Sequence, residues 1–238
     1  MPYFLYSGVI SLGQEFELDG PEAHHLLGVK RAQAGEMVKL QDSSGKRFLC
    51  GVKVSGKRSA RLVPEKELPV PPEPETSTIL YQAAVAEQAM DVVLQKSVEL
   101  GAAEIVIFNS HHTAAKLSDA RFRQKRQRWE KILWEAAKQC ERGQVPILRY
   151  LAGICDIAAD AKNLEKLFVL DITGFPLKTA NYKLKTAGIV VGPEGGFFPE
   201  ELRLLTSLPN SQAVSFGSFV LRSDTAAIAG LAVLRNLI

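Results

Sequence analysis

Four prolines crowd into eight residues at Leu68-Pro-Val-Pro-Pro-Glu-Pro-Glu75. Proline fixes φ and lacks an N–H, so this run cannot enter a sheet interior and favours a stiff, extended form. It divides the chain, and the hydrophobic pattern differs on its two sides. Before it, short alternating runs at Glu15 to Leu18, Met37 to Leu40, Arg47 to Val54 and Ser59 to Val63 lie between Gly and Ser turn signals. They predict a small β-rich barrel or sandwich, interrupted by a helical turn around Pro21 to Arg31. After it, strands are expected at Thr78 to Ala86, Ala103 to Phe108, Ile147 to Tyr150, Lys166 to Asp171, Gly188 to Gly192 and Ala213 to Gly217. Helices are expected over Gln88 to Leu100 and Ser118 to Cys140, and starting near Pro199 and Ser223. Such alternation predicts an α/β domain whose largely parallel sheet carries helices on both faces and binds ligands at the carboxyl ends of its strands. The expected domains are residues 1–70 and 76–238.

With 238 residues, 46% hydrophobic and 23% charged, the chain can bury a substantial core, and collagenous, low-complexity or wholly disordered readings are excluded. No apolar run reaches the length of a membrane span. The opening residues lack a basic start and a small-residue cleavage site, so the expected location is the cytoplasm. A net charge of +3 does not by itself indicate a nucleic-acid partner. Cys50, Cys140 and Cys155 are odd in number and form no CxxC pair, which argues for buried, reduced thiols rather than a disulfide framework or zinc site. Adjacent histidines at His24/His25 and His111/His112 point in different directions, so no metal is expected.

Two segments carry candidate chemistry. Gly188-Ile-Val-Val-Gly-Pro-Glu-Gly-Gly-Phe-Phe-Pro-Glu-Glu201 is a buried strand that runs into a glycine-rich turn and then a helix. It lacks the Lys-Ser/Thr of a P-loop, and Glu194 disfavours a phosphate, so a neutral or cationic ligand bearing ribose, adenine or sulfonium groups fits better. A tight strand-to-helix turn without a ligand is the other reading of the same residues. In Ser215 to Ala227, Ser223 or Asp224 can cap the last helix. Arg222 sits where a helix dipole disfavours cations, which suggests an anionic substrate. The last helix, Thr225 to Ile238, is apolar on nearly every face. Its small residues Ala226, Ala229 and Gly230 suit close packing, inside the domain or against a second subunit, and a homodimer is expected.

VGPEGGF followed by LRSDTA resembles the signatures of the ribosomal RNA small subunit methyltransferase E family, SPOUT-type enzymes that methylate N3 of a uridine in 16S rRNA. Gln95 to Gly101 resembles that family's QKxxELG helix. Trp129-Glu-Lys-Ile132 with Ala136, Gln139, Arg142 and Pro146 resembles its WxKI…AxxQxxR…P stretch, and His25 to Arg31 with Gly35-Glu36 resembles its HxxxVLR…GD segment. The resemblance implies a PUA-like β-barrel for RNA, then a dimeric α/β domain with a deep trefoil knot that binds S-adenosylmethionine. The implied cofactor residues are Leu170, Gly192, Pro193, Glu194, Gly195, Gly196, Leu221, Arg222, Ser223, Thr225 and Ala226. Arg222 and Asp224 are the implied catalytic pair, one stabilising negative charge on the base and the other orienting it or assisting the proton's departure. His25, Lys30, Arg31, Arg121, Lys125, Arg128 and Arg142 are the expected RNA contacts, on 16S rRNA or the 30S subunit.

The chain departs from the family pattern at several positions, Ser218 and Phe219 among them, where members often carry a Pro-Arg or Arg-Ile type sequence. Asp224 replaces a glutamate, Ala86 and Ala89 stand at basic positions, and His112 replaces an arginine. These changes leave open a non-catalytic RNA-binding or assembly factor, or an enzyme for another RNA nucleotide. A basic stretch from Lys116 to Lys131 offers compensating cations, outward on a helix whose buried face is Phe122, Trp129, Leu133, Ala136 and Cys140. A solvated amphipathic helix is the alternative.

Overall fold

The computed structural model describes residues 3–55, 58–114, 116–177 and 183–237. Ile238, placed in the last helix by the sequence, lies outside them. Two compact units emerge: Met1–Glu73 with Ala137–Gln144, and Pro74–Ala136 with Val145–Ile238. The boundary thus falls between Glu73 and Pro74, inside the proline run. A second excursion, eight residues from the end of a long helix and the turn after it, belongs to the first unit.

In the first unit, β1 (Tyr3–Leu5), β2 (Phe16–Leu18), β3 (Met37–Gln41), β4 (Arg47–Ser55) and β5 (Ala60–Leu68) form one sheet in the order β1-β3-β4-β5-β2. Only the β1–β3 pair is parallel. Alternation puts Val38, Leu40, Phe48, Cys50, Val52, Ala60 and Leu62 into one core with Phe4, Leu18, Ala23 and Leu26. β5 continues five residues beyond the expected Val63 because Pro64 sits opposite Cys50, where the register shifts, and a bulge tolerates a missing N–H. The expected helical turn is α1 (Gly20–His24) followed by one π-helical turn, His25–Val29. Arg47 is 1% exposed, its guanidinium 4.1 Å from the centre of the Tyr3 ring. It donates to Gln41 Oε1 at 2.9 Å and to the Glu141 carbonyl at 3.1 Å. With Lys39 on Glu141 at 2.6 Å, these bonds tie the excursion to the sheet.

The second unit is a six-stranded, wholly parallel sheet in the order β11-β9-β10-β6-β7-β8. Its strands are β6 (Ser77–Ala83), β7 (Glu104–Phe108), β8 (Ile147–Leu151), β9 (Lys166–Pro176), β10 (Thr186–Val191) and β11 (Ser211–Ser215). The helices are α2 (Glu87–Glu99), α3 (Asp119–Cys140), α4 (Ile154–Ala161), α5 (Pro199–Thr206) and α6 (Ser223–Leu237). Tyr81, Ala83, Val106, Phe108, Val169 and Val190 face α4 and α5 through Ile154, Ile157 and Leu205, while α6 packs on α2, β6 and β10. No described helix is long and apolar enough to cross a membrane. From β6 the chain adds β7 and β8 toward one edge, then places β10, β9 and β11 on the other side. This reversal marks a crevice at the carboxyl ends where α/β sheets bind ligands.

The sequence reading missed β1 and α4 and ended β9 five residues early. α4 is fixed by a polar cluster: Arg149 donates two bonds of 2.9 Å to Asp160 and one of 2.8 Å to Glu104, and the Tyr81 hydroxyl donates to Asp160 at 2.8 Å. The hydrogen bonds from Arg149 hold the Asp160 carboxyl below its ordinary value. The expectation of three buried thiols is corrected. Cys50 is buried, and burial pushes its thiol up to about 12, whereas Cys140 is half-buried and Cys155, on the first turn of short α4, is exposed.

Candidate functional site

β10 delivers Val191 into the turn Gly192 to Gly196, closed by a hydrogen bond from Gly196 N to Pro193 O at 2.9 Å. Gly196 has φ +71°, a left-handed conformation that favours glycine. Gly195 is constrained differently: a Cβ there would lie 3.0 Å from the Cβ of His112.

Ser223 joins this turn to the start of α6. Its hydroxyl donates to Gly192 O at 2.6 Å and accepts from Gln82 Nε2 at 2.9 Å. Gln82, on the last turn of pleat in β6, is fully buried, and its other N–H donates to Ala83 O at 2.9 Å. That carbonyl can only accept, which fixes the amide orientation and makes the relay directional. Among the described residues Gln82 Oε1 is buried without a partner. Of the two helix caps the sequence allowed, Ser223 or Asp224, Ser223 is therefore not one. The Arg222 carbonyl accepts the first helical bond, from Ala226 N at 2.8 Å, and Asp224 Oδ1 accepts from Thr225 N at 2.8 Å.

Beside this relay lies a cleft that opens to solvent, with about 700 Å³ of empty space when the solvent at its mouth is included. Leu170, Ile172, Val191, Phe197, Val214, Phe216, Phe219, Val220, Leu221 and Ala226 give it apolar walls, and Gly192, Pro193, Glu194, Gly196, Ser215, Gly217 and Ser223 give it a polar edge. Asp171 also lines it, with Oδ1 accepting from Thr173 N at 2.9 Å. No lysine or arginine is among these lining residues. With Glu194 and Asp171 as its only ionisable groups among the described residues, the cleft suits a neutral or cationic ligand with an apolar, planar part.

Eight expected cofactor residues meet here: Leu170, Gly192, Pro193, Glu194, Gly196, Leu221, Ser223 and Ala226. Gly195, Arg222 and Thr225 do not line the cleft. The Arg222 side chain is 79% exposed, its guanidinium 3.4 Å from Asp224, whose side chain is 17% exposed. That carboxylate supplies a reason for a cation at the helix start that needs no ligand. Sequence reasoning missed Gln82, because its partner is 141 residues away; it singled out Ser215 to Ala227 but gave Ser215 to Val220 no part in the pocket.

The expected RNA residues fall in both units. In the first, His25 lies edge-on to Phe4 with ring centres 5.4 Å apart. The Lys30 ammonium is buried 5.9 Å from the Phe4 ring, and burial lowers its affinity for the proton. Arg31 is exposed with φ +55°, and Arg142 pairs with Glu73 at 2.7 Å. In the second, α3 buries Phe122, Trp129, Leu133 and Ala136 as its spacing predicts, but its cations are not all free. Lys125 bonds Glu87 at 2.6 Å, and Arg128 pairs with Glu87 at 3.1 Å and with Asp91. The Lys125 hydrogen bond, then the charges of Lys125 and Arg128, hold Glu87 below its ordinary value. Arg121 is exposed, and among the described residues its guanidinium has no ion-pair partner.

Comparison with known proteins places the chain in a family. A family model of the RNA methyltransferase domain matches residues 72–235. The ribosomal RNA small subunit methyltransferase E of Bacillus subtilis is 26% identical over 234 residues, covering 92% of this chain and 89% of the relative. That of Mesomycoplasma hyopneumoniae is 31% identical over 160 residues, covering 66% and 68%. The crystal structure of the corresponding Neisseria gonorrhoeae enzyme, bound to S-adenosyl methionine, superposes with a TM-score of 0.86 at 29% identity, covering 100% of this chain and 98% of that one. A putative methyltransferase from Legionella pneumophila, in complex with bound SAM, gives 0.85 at 28% identity, covering 98% and 96%.

Proposed function

The chain belongs to the ribosomal RNA small subunit methyltransferase E family of RNA methyltransferases, and from that premise we propose that it methylates N3 of a uridine in 16S rRNA. The observation that carries the reading is the cleft itself: two segments far apart in the chain are locked together by Ser223 and Gly192 over a cavity lined, among the described residues, by no lysine or arginine.

S-adenosylmethionine fits that cleft, and when bound it supplies an activated methyl group on a positively charged sulfur. Leu170, Leu221 and Ala226 give an adenine apolar contact, while the backbone of Gly192 to Gly196 gives it and the ribose polar edges. Glu194 and Asp171 make the electrostatics favourable for a cation. The Gln82–Ser223–Gly192 relay holds this surface in place before binding, so little ordering is left to the binding step. Uridine N3 must lose its proton to become nucleophilic. Arg222, exposed and steadied by Asp224, stabilises the negative charge that develops on the base or anchors a nearby phosphate.

The same reading assigns the first unit as a PUA-like barrel for RNA, with His25, Lys30, Arg31 and Arg142 as its contacts. It assigns the glycine turn and the α6 start to a deep trefoil knot, with Arg121, Lys125 and Arg128 facing RNA from α3. A homodimer accounts for Phe175, Phe219 and Val220 being 73%, 86% and 80% exposed, since large apolar side chains left at a surface are a mark of contacts. The cytoplasm follows from the substrate. Incubation with undermethylated 30S subunits and S-adenosylmethionine, followed by mapping of modified nucleotides, tests the assignment. A single new N3-methyluridine in 16S rRNA supports it. Retention of RNA with no methyl transfer indicates a non-catalytic factor, and a different modified nucleotide indicates another specificity.

A further inference from the structure

The loop after β7 builds a second surface that the cofactor cleft does not use. His111 stacks on Phe198, the residue before α5, with ring centres 4.6 Å apart and planes at 29°. His112 meets the same two rings edge-on at 5.1 and 6.1 Å. Aromatic side chains normally hide their faces, yet Phe198 is 38% exposed and both histidines are exposed. Two of these rings, His111 and Phe198, border an open depression at the carboxyl ends of β7 and β8, lined also by Asn109, Gly153 and Lys116.

The ledge is held before any ligand arrives. One carboxylate, Glu201, accepts from the His111 N–H at 2.8 Å, the Ser110 hydroxyl at 2.8 Å and the Phe198 N–H at 3.0 Å. It thereby pins the backbone of both stacked residues. Asn109 fixes the far end of the loop through Leu117 N and Leu117 O, each at 2.8 Å. His112 Nδ1 lies 3.2 Å from Gly196 O. A carbonyl only accepts, so Nδ1 carries the proton, and the ledge is bonded to a residue that lines the cofactor cleft.

We propose that the His111–Phe198 ledge is a stacking subsite for an unpaired base of the RNA substrate, beside the target nucleotide, with Lys116 meeting the adjoining phosphate. The proposal rests on the methyltransferase reading. A rigid, partly exposed aromatic face next to a cation matches a planar ring attached to an anionic backbone. Of the two carboxylates at the depression, Glu200 pairs with Arg203 at 2.6 Å, while Glu201 keeps its charge as its oxygens hold the loop, so the anionic backbone is expected on the Lys116 side. His112 braces both rings of the ledge edge-on.

The test compares the unaltered protein with Phe198→Leu, His111→Ala and Phe198→Trp. Affinity for undermethylated 30S subunits is measured by filter retention, KM for the same subunits by methyl transfer, and S-adenosylmethionine affinity by calorimetry. Phe198→Leu and His111→Ala are expected to weaken 30S retention and raise KM by about tenfold, with cofactor affinity unchanged and Phe198→Trp close to the parent. Retention and KM equal to the parent in both truncating variants overturn the ledge, as does a parallel loss of cofactor affinity, which signals general disruption. A parent that retains 30S subunits, loses retention on Phe198→Leu and never transfers methyl overturns the enzyme reading and leaves the ledge standing. A parent that retains no RNA overturns both.

Discussion

Ser223 has one hydroxyl proton, and Gly192 takes it; the remaining lone pairs face the Gln82 amide. Ser223→Ala removes both bonds, leaving a buried carbonyl and a buried N–H to find other partners. We expect a loss of about 1–3 kcal/mol in denaturant unfolding, together with weaker S-adenosylmethionine binding by calorimetry; unchanged values for both would refute the relay. Asp160 gives a second expectation, in pH. Its folded value is depressed by hydrogen bonds from Arg149, so its stabilisation is complete above the unfolded value of about 4 and fades as pH falls through the lower folded value. Asp160→Asn should destabilise the protein by about 1–2 kcal/mol at neutral pH and flatten the acid limb of a stability-against-pH curve below about pH 4. At this scale the sequence showed the glycine turn and the arginine before α6, because each is a local anomaly. It did not show why a side chain on Gly195 is tight, since the neighbour it would press on is His112, brought there by the fold.

Among the elements, α6 illustrates how a single missing side chain sets a packing distance. A Cβ on Gly230 would lie 2.2 Å from Ile189 Cδ1 and 3.3 Å from Leu170 Cδ1. The sequence left open whether the small residues of α6 serve the domain or a partner; for Gly230 the answer is β10. Gly230→Ala is expected to cost about 1–3 kcal/mol through overpacking, measured by thermal or denaturant unfolding. It also presses on Leu170 at the cleft, so cofactor affinity should fall with stability. α3 yields a contrast between neighbours. Arg128 is engaged by Glu87 and Asp91, whereas Arg121 has no such partner among the described residues, so Arg121→Ala should reduce 30S affinity and its salt slope more than Arg128→Ala. Equal losses in filter retention across a salt series would contradict that order. Amphipathic periodicity sufficed to place α2, α3, α5 and α6 within a residue or two. It missed β1 because three residues carry no period, and β1 exists through its parallel pairing with β3. It stopped β9 early because the extension to Pro176 pairs with β11 across a register shift.

For the molecule as a whole, the proline run and the change of pattern around it were enough to foresee a β-rich first part and a parallel α/β second part. The return of Ala137–Gln144 to the first unit was hidden, because the groups that hold it, Tyr3, Lys39, Gln41 and Arg47, lie some 94 to 139 residues earlier. The convergence of Gly192 to Gly196 with Leu221 to Ala226 was implied by resemblance and not by any period in the sequence, since it depends on where β10 and α6 end. Methyl transfer therefore tests the assembled molecule more directly than any single residue. The decisive measurement is nucleotide mapping of 16S rRNA after undermethylated 30S subunits have been incubated with this protein and S-adenosylmethionine. One new N3-methyluridine, absent without the cofactor and reduced by Ser223→Ala, is the predicted result; 30S subunits that emerge with no added methyl group, from a protein that calorimetry shows unable to hold S-adenosylmethionine, would contradict it.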